Sequence, residues 1–360
     1  MRVLFHVGHP AHVHLFRNLM LELDARGHQT WMGARDKDVA VQLLDGYGLN
    51  YQVISRQGSG YAGLFLEFVE YTYRLYQMAR EFNPDLMVGC SASAGLISKI
   101  CPAKSVIFSE DDPDTVRIAA LLTYPPADII CMPDSITSAW PKRISHPSYH
   151  ELAYLHPNRF TPSPGVLSRL GVQAGEPYYI LRFVSLKAVH DKGASGLTLA
   201  ARRKLVSTLS KRGRVFITSE AALSEEFEPY RIPISPLDIH DALYYATMFI
   251  GDSQSMTMEA AILGTPAIRC NTFVGRCSVI EELEHKYGLT YGFLPGRDEE
   301  KMFSKIMELL DDKDLHAKWQ ERRAKMLGDK VDLTAWMIDF VEHYEERVAY
   351  RPASLCGGTS

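Results

Sequence analysis

Short β-rich runs and longer helical patterns alternate along this chain in two series, and that alternation restricts the fold more than any other feature. It is how parallel βαβ units look in sequence. The first series has candidate strands at Val3–Val7, Gln29–Ala34, Tyr51–Ile54, Leu86–Cys90, Ser105–Ser109 and Ile129–Met132. Between the first two, Val13, Phe16, Met20 and Leu23 recur at helical spacing, and Gly27 closes the helix. From Pro133 to Pro177 prolines are frequent, which reads as loops and a linker. The alternation then resumes with Tyr178–Phe183, Arg214–Thr218, Met248–Gly251 and Pro266–Cys270 as strands. The expected fold is therefore α/β, with two doubly wound Rossmann-like domains facing a central cleft. Residues 1–160 form the first domain and 165–330 the second. The segment 331–350 is a C-terminal helix returning to the first, on a stripe of Trp336, Phe340, Val341 and Tyr344.

A chain of 360 residues exceeds one ordinary core and suits two. Its formal net charge of -4 argues against a dedicated nucleic-acid binder. The basic runs Arg202-Arg203-Lys204, Lys211-Arg212-Arg214 and Arg322-Arg323-Lys325 read first as solvated helix faces. Attraction of one of them to an acidic membrane surface leaves peripheral membrane association open. Six scattered cysteines form no Cys-x-x-Cys motif, which fits a reducing compartment. With no signal-peptide pattern and no run of about 20 apolar residues, the expected location is the cytoplasm.

Ligands of doubly wound sheets bind beyond the carboxyl ends of the strands. The most informative such segment is Phe249–Pro266, where a buried strand ends at Gly251 and a helix is expected near Met256, with Ser255 as its cap. Free backbone N–H groups at a helix start, with the helix dipole, suit a diphosphate. Ser253, Gln254, Ser255, Met256 and Thr257 are the candidate contacts. Glu259 lies one turn deeper on the face of Ser255 and can accept hydrogen bonds from a ribose diol. An ordinary capped strand–turn–helix is the plainer reading of the same residues.

The whole chain resembles the GT-B superfamily. Glu259, Gly264 and Pro266, at spacings of five and seven, match both the lipid II N-acetylglucosaminyltransferase of peptidoglycan synthesis and the non-hydrolysing UDP-N-acetylglucosamine 2-epimerases. Asp252-Ser253 matches the start of the epimerase loop. In both groups the resemblance implies that the glutamate holds the ribose of UDP. Closer still is domain of unknown function family 354, through His9-Pro-Ala-His12-Val-His14, His190-Asp191 and Ile239-His240-Asp241. That resemblance spans residues 1 to about 345, and the family's name declares no reaction.

Other residues suggest chemistry. His9 and His12 in the first loop suit general base work on an acceptor hydroxyl, with His14 a structural helix residue. The loop resembles the Gly-His start of the acceptor loop in these transferases. Glu110 and Asp111, after the fifth strand, are the second choice for the base. Asp112 or Asp114 would cap the helix that follows. Arg182, Lys187, His190 and Lys192 can neutralise a departing diphosphate. The epimerases also place a functional histidine where His190 falls, but their His-Arg-Arg-Glu-Asn run is absent. Asn271 and Arg276 lie where transferases of this fold contact the donor sugar. His9 and His12 have metal-like spacing without a supporting carboxylate, so no metal is expected, and no cofactor beyond a UDP-sugar substrate.

The expected function is thus a metal-independent glycosyltransferase using a nucleotide diphosphate-sugar, with a glycan, lipid-linked or small-molecule acceptor. An NDP-sugar epimerase or hydrolase, or a non-catalytic nucleotide-sugar-binding protein, are the alternatives.

Overall fold

The computed structural model describes residues 1–58, 60–184, 196–219 and 222–349. The chain divides into two compact units, one of Met1–Arg159 with the segment from Val331 onward, the other of Phe160–Lys330.

Unit 1 holds a seven-stranded sheet: β1 (Arg2–Val7), β2 (Gln29–Asp36), β3 (Tyr51–Arg56), β4 (Leu86–Gly89), β5 (Lys104–Phe108), β6 (Ile129–Pro133) and β7 (Arg143–His146). Their order is β3-β2-β1-β4-β5-β6-β7, and every pairing is parallel. Val3, Leu4 and Phe5 on β1 are fully buried, as a central strand covered on both faces requires. Order reverses between β1 and β4, where His6 stands opposite Gly89. Such a switch point is where a doubly wound sheet opens a crevice.

The strand β7 lies inside the proline-rich stretch that the sequence assigns to loops and a linker. It is a short edge strand of mixed burial, bounded by Pro141 and Pro147, so it lacks the apolar run that reveals an internal strand. Pairing with β6 supplies the backbone hydrogen bonds that its composition does not announce.

In place of one C-terminal helix there are two, Leu333–Glu342 and Tyr344–Ala349, and the first packs on the helix Pro10–Ala25 within unit 1. Asp332 caps it through the Ala335 N–H at 3.1 Å. The same carboxylate accepts from Arg159 Nε at 2.6 Å, and the Val331 N–H donates to the Pro147 carbonyl. The points where the chain leaves and re-enters unit 1 are therefore fastened to each other.

Unit 2 holds five parallel strands: β8 (Tyr178–Phe183), β9 (Arg214–Ser219), β10 (Met248–Gly251), β11 (Ala267–Cys270) and β12 (Thr290–Phe293). They are ordered β12-β11-β10-β8-β9, and the switch point falls between β8 and β10. Edge strand β12 is again one that the sequence pattern passes over; only Thr290 in it is buried outright among its four residues, Tyr291, Gly292 and Phe293 being half-buried. The basic runs lie largely on exposed faces, several of their side chains in surface ion pairs or backbone contacts. Arg203 bonds Glu226, Arg212 bonds Asp311, and Arg323 donates to the Ile262 carbonyl.

Candidate functional site

In unit 2, β10 ends at Gly251, opposite Arg182 on β8. A Cβ on Gly251 would lie 2.9 Å from the Arg182 Cβ and carbonyl, so glycine permits this close approach. The helix that follows runs from Gln254 to Leu263 and is capped by Ser253, not Ser255. Ser253 has the extended backbone of a cap, and its hydroxyl accepts from the Met256 N–H. Thr257 is buried and donates its hydroxyl to the Ser253 carbonyl at 2.5 Å, while Ser255 and Met256 stay half-buried on the first turn.

Around this turn the polar side chains are bound to the protein itself. Asp252 accepts from the Val184 N–H at 2.7 Å and from Arg202 at 3.2 Å, and burial pushes its carboxyl up to about 6. Arg202 also lies over the Phe183 ring. Asn271 donates to the Asp252 carbonyl and accepts from the Phe273 N–H, so both ends of its amide hold the loop after β11. Gln254 accepts from the buried Arg269 guanidinium, which also bonds Glu281. Arg182 donates to the Thr218 hydroxyl at 2.9 Å. Arg276 is exposed on the loop after β11. Glu259 is 6% exposed, and one carboxylate oxygen lies 3.1 Å from Nε2 of the equally buried His240. Lys187, His190 and Lys192 lie outside the described residues.

In unit 1 the first loop delivers its histidines in different ways. His9 is the N-cap of the helix Pro10–Ala25, its Nδ1 accepting from the Ala11 N–H. His12 Nδ1 accepts from the Gly8 N–H. In a neutral imidazole that leaves Nε2–H as a donor on each ring. His14 is buried against Tyr47 and stacked on Tyr154, a packing role. Burial holds His12 well below its ordinary value, and the charges of His9, His150, His6 and Lys37 add to this.

Glu110, just past β5, accepts from the His150 backbone N–H at 3.2 Å and lies 3.5 Å from its Nδ1. Burial pushes Glu110 up to about 7, and His150 down to about 4. Asp111 is exposed and acts on His150 through its charge. Neither Asp112 nor Asp114 is the cap of the next helix, Arg117–Thr123; its N-cap is Val116, with no side-chain bond. The structure thus gathers His9, His12, Glu110 and Asp111 around two rings that sequence reasoning did not select, His6 and His150.

A cavity of about 200 Å³ opens at the unit 1 switch point, lined by His6, His12, Glu67, Phe68, Cys90 and Ser91, with Arg35 and Tyr71 behind. His6 Nδ1 lies 3.2 Å from the Tyr71 hydroxyl and 3.3 Å from that of Ser91. The ring covers Gly89 so closely that a Cβ there would fall 2.0 Å from Nε2. Arg35 and Glu67 form a two-pronged ion pair, and Glu67 also accepts from the Gly58 N–H. A larger hollow of about 820 Å³ in unit 2 is bordered by Tyr178, Thr247 and Pro266. These precede or begin their strands, the end opposite to the one where such sheets bind ligands.

Residues 1–276 match the family described as "Protein of unknown function (DUF354)". The chain belongs to this family. No curated protein matches this DUF354 chain. Among solved structures it is similar to S. aureus MnaA with UDP, at 11% identity, 98% coverage of both chains and a TM-score of 0.67. It is also similar to a UDP-N-acetylglucosamine 2-epimerase, at 15% identity, covering 100% of this chain and 99% of that one, with a TM-score of 0.64. A third is the glycosyltransferase VinC in complex with dTDP, at 14% identity, covering 98% and 100%, with a TM-score of 0.61. This DUF354 protein therefore has the GT-B fold, in two parallel-sheet units of seven and five strands. Among its described residues, no helix is long and apolar enough to cross a membrane.

Several site residues of this DUF354 chain escape a reading by motif. His240 pairs with Glu259 across 19 positions, and Arg202 reaches Asp252 across 50. His150 sits in the proline-rich stretch. The available signal for His240 was the Ile239-His240-Asp241 run, which carried family resemblance without a partner attached.

Proposed function

We propose that this protein transfers a sugar from a UDP-sugar to a hydroxyl acceptor, with no metal in the step. The observation that carries the reading is the turn after β10. It combines a capped helix start that offers free backbone N–H groups with a buried carboxylate, Glu259, one turn below. A carboxylate can accept several hydrogen bonds, and Glu259 lies one turn below the helix start, where a ribose diol would fall. Relatives of the same fold were solved with UDP and with dTDP, which supports a nucleotide diphosphate.

Glu110 is the base in this reading, and the histidines orient the acceptor. His9 and His12 turn their acceptor nitrogens to the backbone, so those lone pairs are not open to take a proton. Glu110, pushed up to about 7, matches neutral pH as a proton acceptor. It takes the acceptor hydroxyl proton as that oxygen attacks the anomeric carbon. The bond to the diphosphate breaks and UDP departs with the electron pair. Calorimetry with UDP and UDP-sugars, with and without EDTA, tests the donor half. Abolition of binding by EDTA with rescue by magnesium would overturn the metal-independent step. UDP release without an acceptor, or isomerisation of the sugar, would replace transfer by hydrolysis or epimerisation.

A further inference from the structure

The exposed large apolar side chains of the described residues are unevenly distributed. Phe65, Leu66, Phe68 and Val69 lie on the helix Gly60–Phe82, and Ile118 and Leu122 on Arg117–Thr123. From β3 the chain crosses to β4, β5 and β6 in one direction. Right-handed connections then set the helices Gly60–Phe82, Ala92–Ile97 and Arg117–Thr123 on one face of the sheet, where neighbours touch in turn. The opposite face is covered by Pro10–Ala25, which packs on Leu152–Leu155 and Leu333–Glu342. The first face thus carries several large apolar side chains in water, among them Phe65, Leu66, Phe68 and Val69 close together on one helix.

That surface is continuous with the switch-point cavity. Phe68 lines the cavity and is also 40% exposed, with Val69 beside it on the outer face. Inside, apart from the Arg35–Glu67 ion pair and the Cys90 thiol, the polar groups are hydroxyls and imidazoles. Ser91, Ser93 and His12 line the wall together with the His6 ring, whose buried Nε2 lies against Gly89 and has no hydrogen-bond partner among the described residues. The one guanidinium lining it, Arg35, is already neutralised by Glu67. Burial keeps both His6 and His12 neutral near pH 7, so an anionic head would find no uncompensated cation. At about 200 Å³ the cavity is below the ~300–1,000 Å³ that encloses a drug-sized ligand, so only a small head enters.

We infer that the acceptor is amphipathic: a neutral, hydroxyl-bearing head fills the cavity against His6, His12 and Ser91, and its apolar chain runs out over Phe68 and Val69. This deepens the transferase reading by naming the class of acceptor, and it rests on that reading. The probe is n-dodecyl β-D-glucoside below its micellar concentration, titrated calorimetrically into the full chain, with glucose as control. The glucoside should bind at least tenfold more tightly than glucose. Phe68→Asp and Val69→Asp should each weaken it tenfold or more, with circular dichroism unchanged. Val69 is exposed, so its variant keeps the test decisive if Phe68→Asp unfolds. Equal affinity for glucoside and glucose, or wild-type binding in Val69→Asp, overturns the assignment. So does capture by phosphatidylcholine vesicles without binding of the monomeric glucoside, which would make the face a membrane-docking surface only. UDP affinity is measured in parallel. Glucoside binding without UDP binding sinks the transferase reading and leaves the cavity assignment standing; the reverse result sinks the cavity alone.

Discussion

At the switch point of unit 2 the turn's polar side chains are tied to one another, and the buried atoms without a partner among the described residues are guanidinium nitrogens, Nε of Arg202 and of Arg269; at that of unit 1 they are ring nitrogens. Around β10, Asp252, Asn271, Gln254, Thr257 and Glu259 each hydrogen-bond within the chain, which fixes the turn before any ligand arrives. Beside β1 and β5, Nε2 of His6 and Nε2 of His150 lack partners among the described residues. A buried polar atom without a partner costs stability. Under the proposed transfer, its presence near a carboxyl raised to about 7 fits a region arranged for chemistry. The two regions differ in kind: a turn fixed by its own hydrogen bonds, and a cavity beside imidazoles whose protonation is held down by burial.

The strongest way to break this comparison is through Glu110. If unit 1 supplies the base, Glu110→Gln should lower turnover by about a hundredfold or more while UDP affinity stays at the wild-type value. Replacing both His9 and His12 should cost less, since orientation is lost and not the proton acceptor. Steady-state kinetics on the two variants decides the order, and the reverse order would return the base to a histidine.

On the other side, Glu259→Gln keeps the side-chain volume beside His240 but removes the charge. UDP affinity should fall about tenfold or more, corresponding to roughly 1.5–3 kcal/mol for a hydrogen bond to a charged group, with turnover at saturation little changed. Unaltered UDP affinity in the folded variant would remove Glu259 from the nucleotide site.

A smaller effect sharpens the unit 1 half. Gly89→Ala puts a methyl into the His6 ring, and overpacking of this kind costs about 1–3 kcal/mol in denaturant unfolding. A neutral result would mean that the ring does not rest there.

Smallest is the dependence on pH. Burial raises Glu110 from the ordinary carboxyl value to about 7, so the folded state holds a proton that the unfolded chain has released. Its contribution to stability is present below about 4.5 and is lost as pH rises to 7. The His6 and His150 rings, lowered to about 4, act in the opposite sense: their contribution is intact above about 6.5 and is lost as pH falls towards 4. Relative to wild type, Glu110→Gln should gain a few degrees in Tm at pH 8 and little at pH 5. An equal gain at both values would detach the carboxyl from this site.

The two regions also differ in how much of them the sequence reveals. The internal strands are legible because burial on both faces demands unbroken apolar runs, as in Val3-Leu4-Phe5. The edge strands β7 and β12 are not, because an edge strand needs one partner and no such run. The turn after β10 is legible as a strand–turn–helix, and the resemblance of Glu259, Gly264 and Pro266 to nucleotide-sugar enzymes makes it a nucleotide candidate. Its cap is placed two residues late because Ser253 and Ser255 are chemically equivalent caps, and only the extended backbone at Ser253 separates them. The pairs His240–Glu259 and Arg202–Asp252, and the approach of His150 to Glu110, depend on tertiary contacts that no local period encodes.

The fastening of Arg159 to Asp332 has a consequence for how this chain can be taken apart. The 160–330 segment leaves and returns at one spot on unit 1, so unit 1 sees it as a long loop with fixed ends. The entropy of closing a loop grows only slowly with its length. A short glycine–serine bridge from Arg159 to Val331 should therefore preserve the register of the helix Leu333–Glu342 and yield unit 1 as a separate, foldable piece. The long polypeptide between those two residues is, for the seven-stranded sheet, an exchangeable cargo.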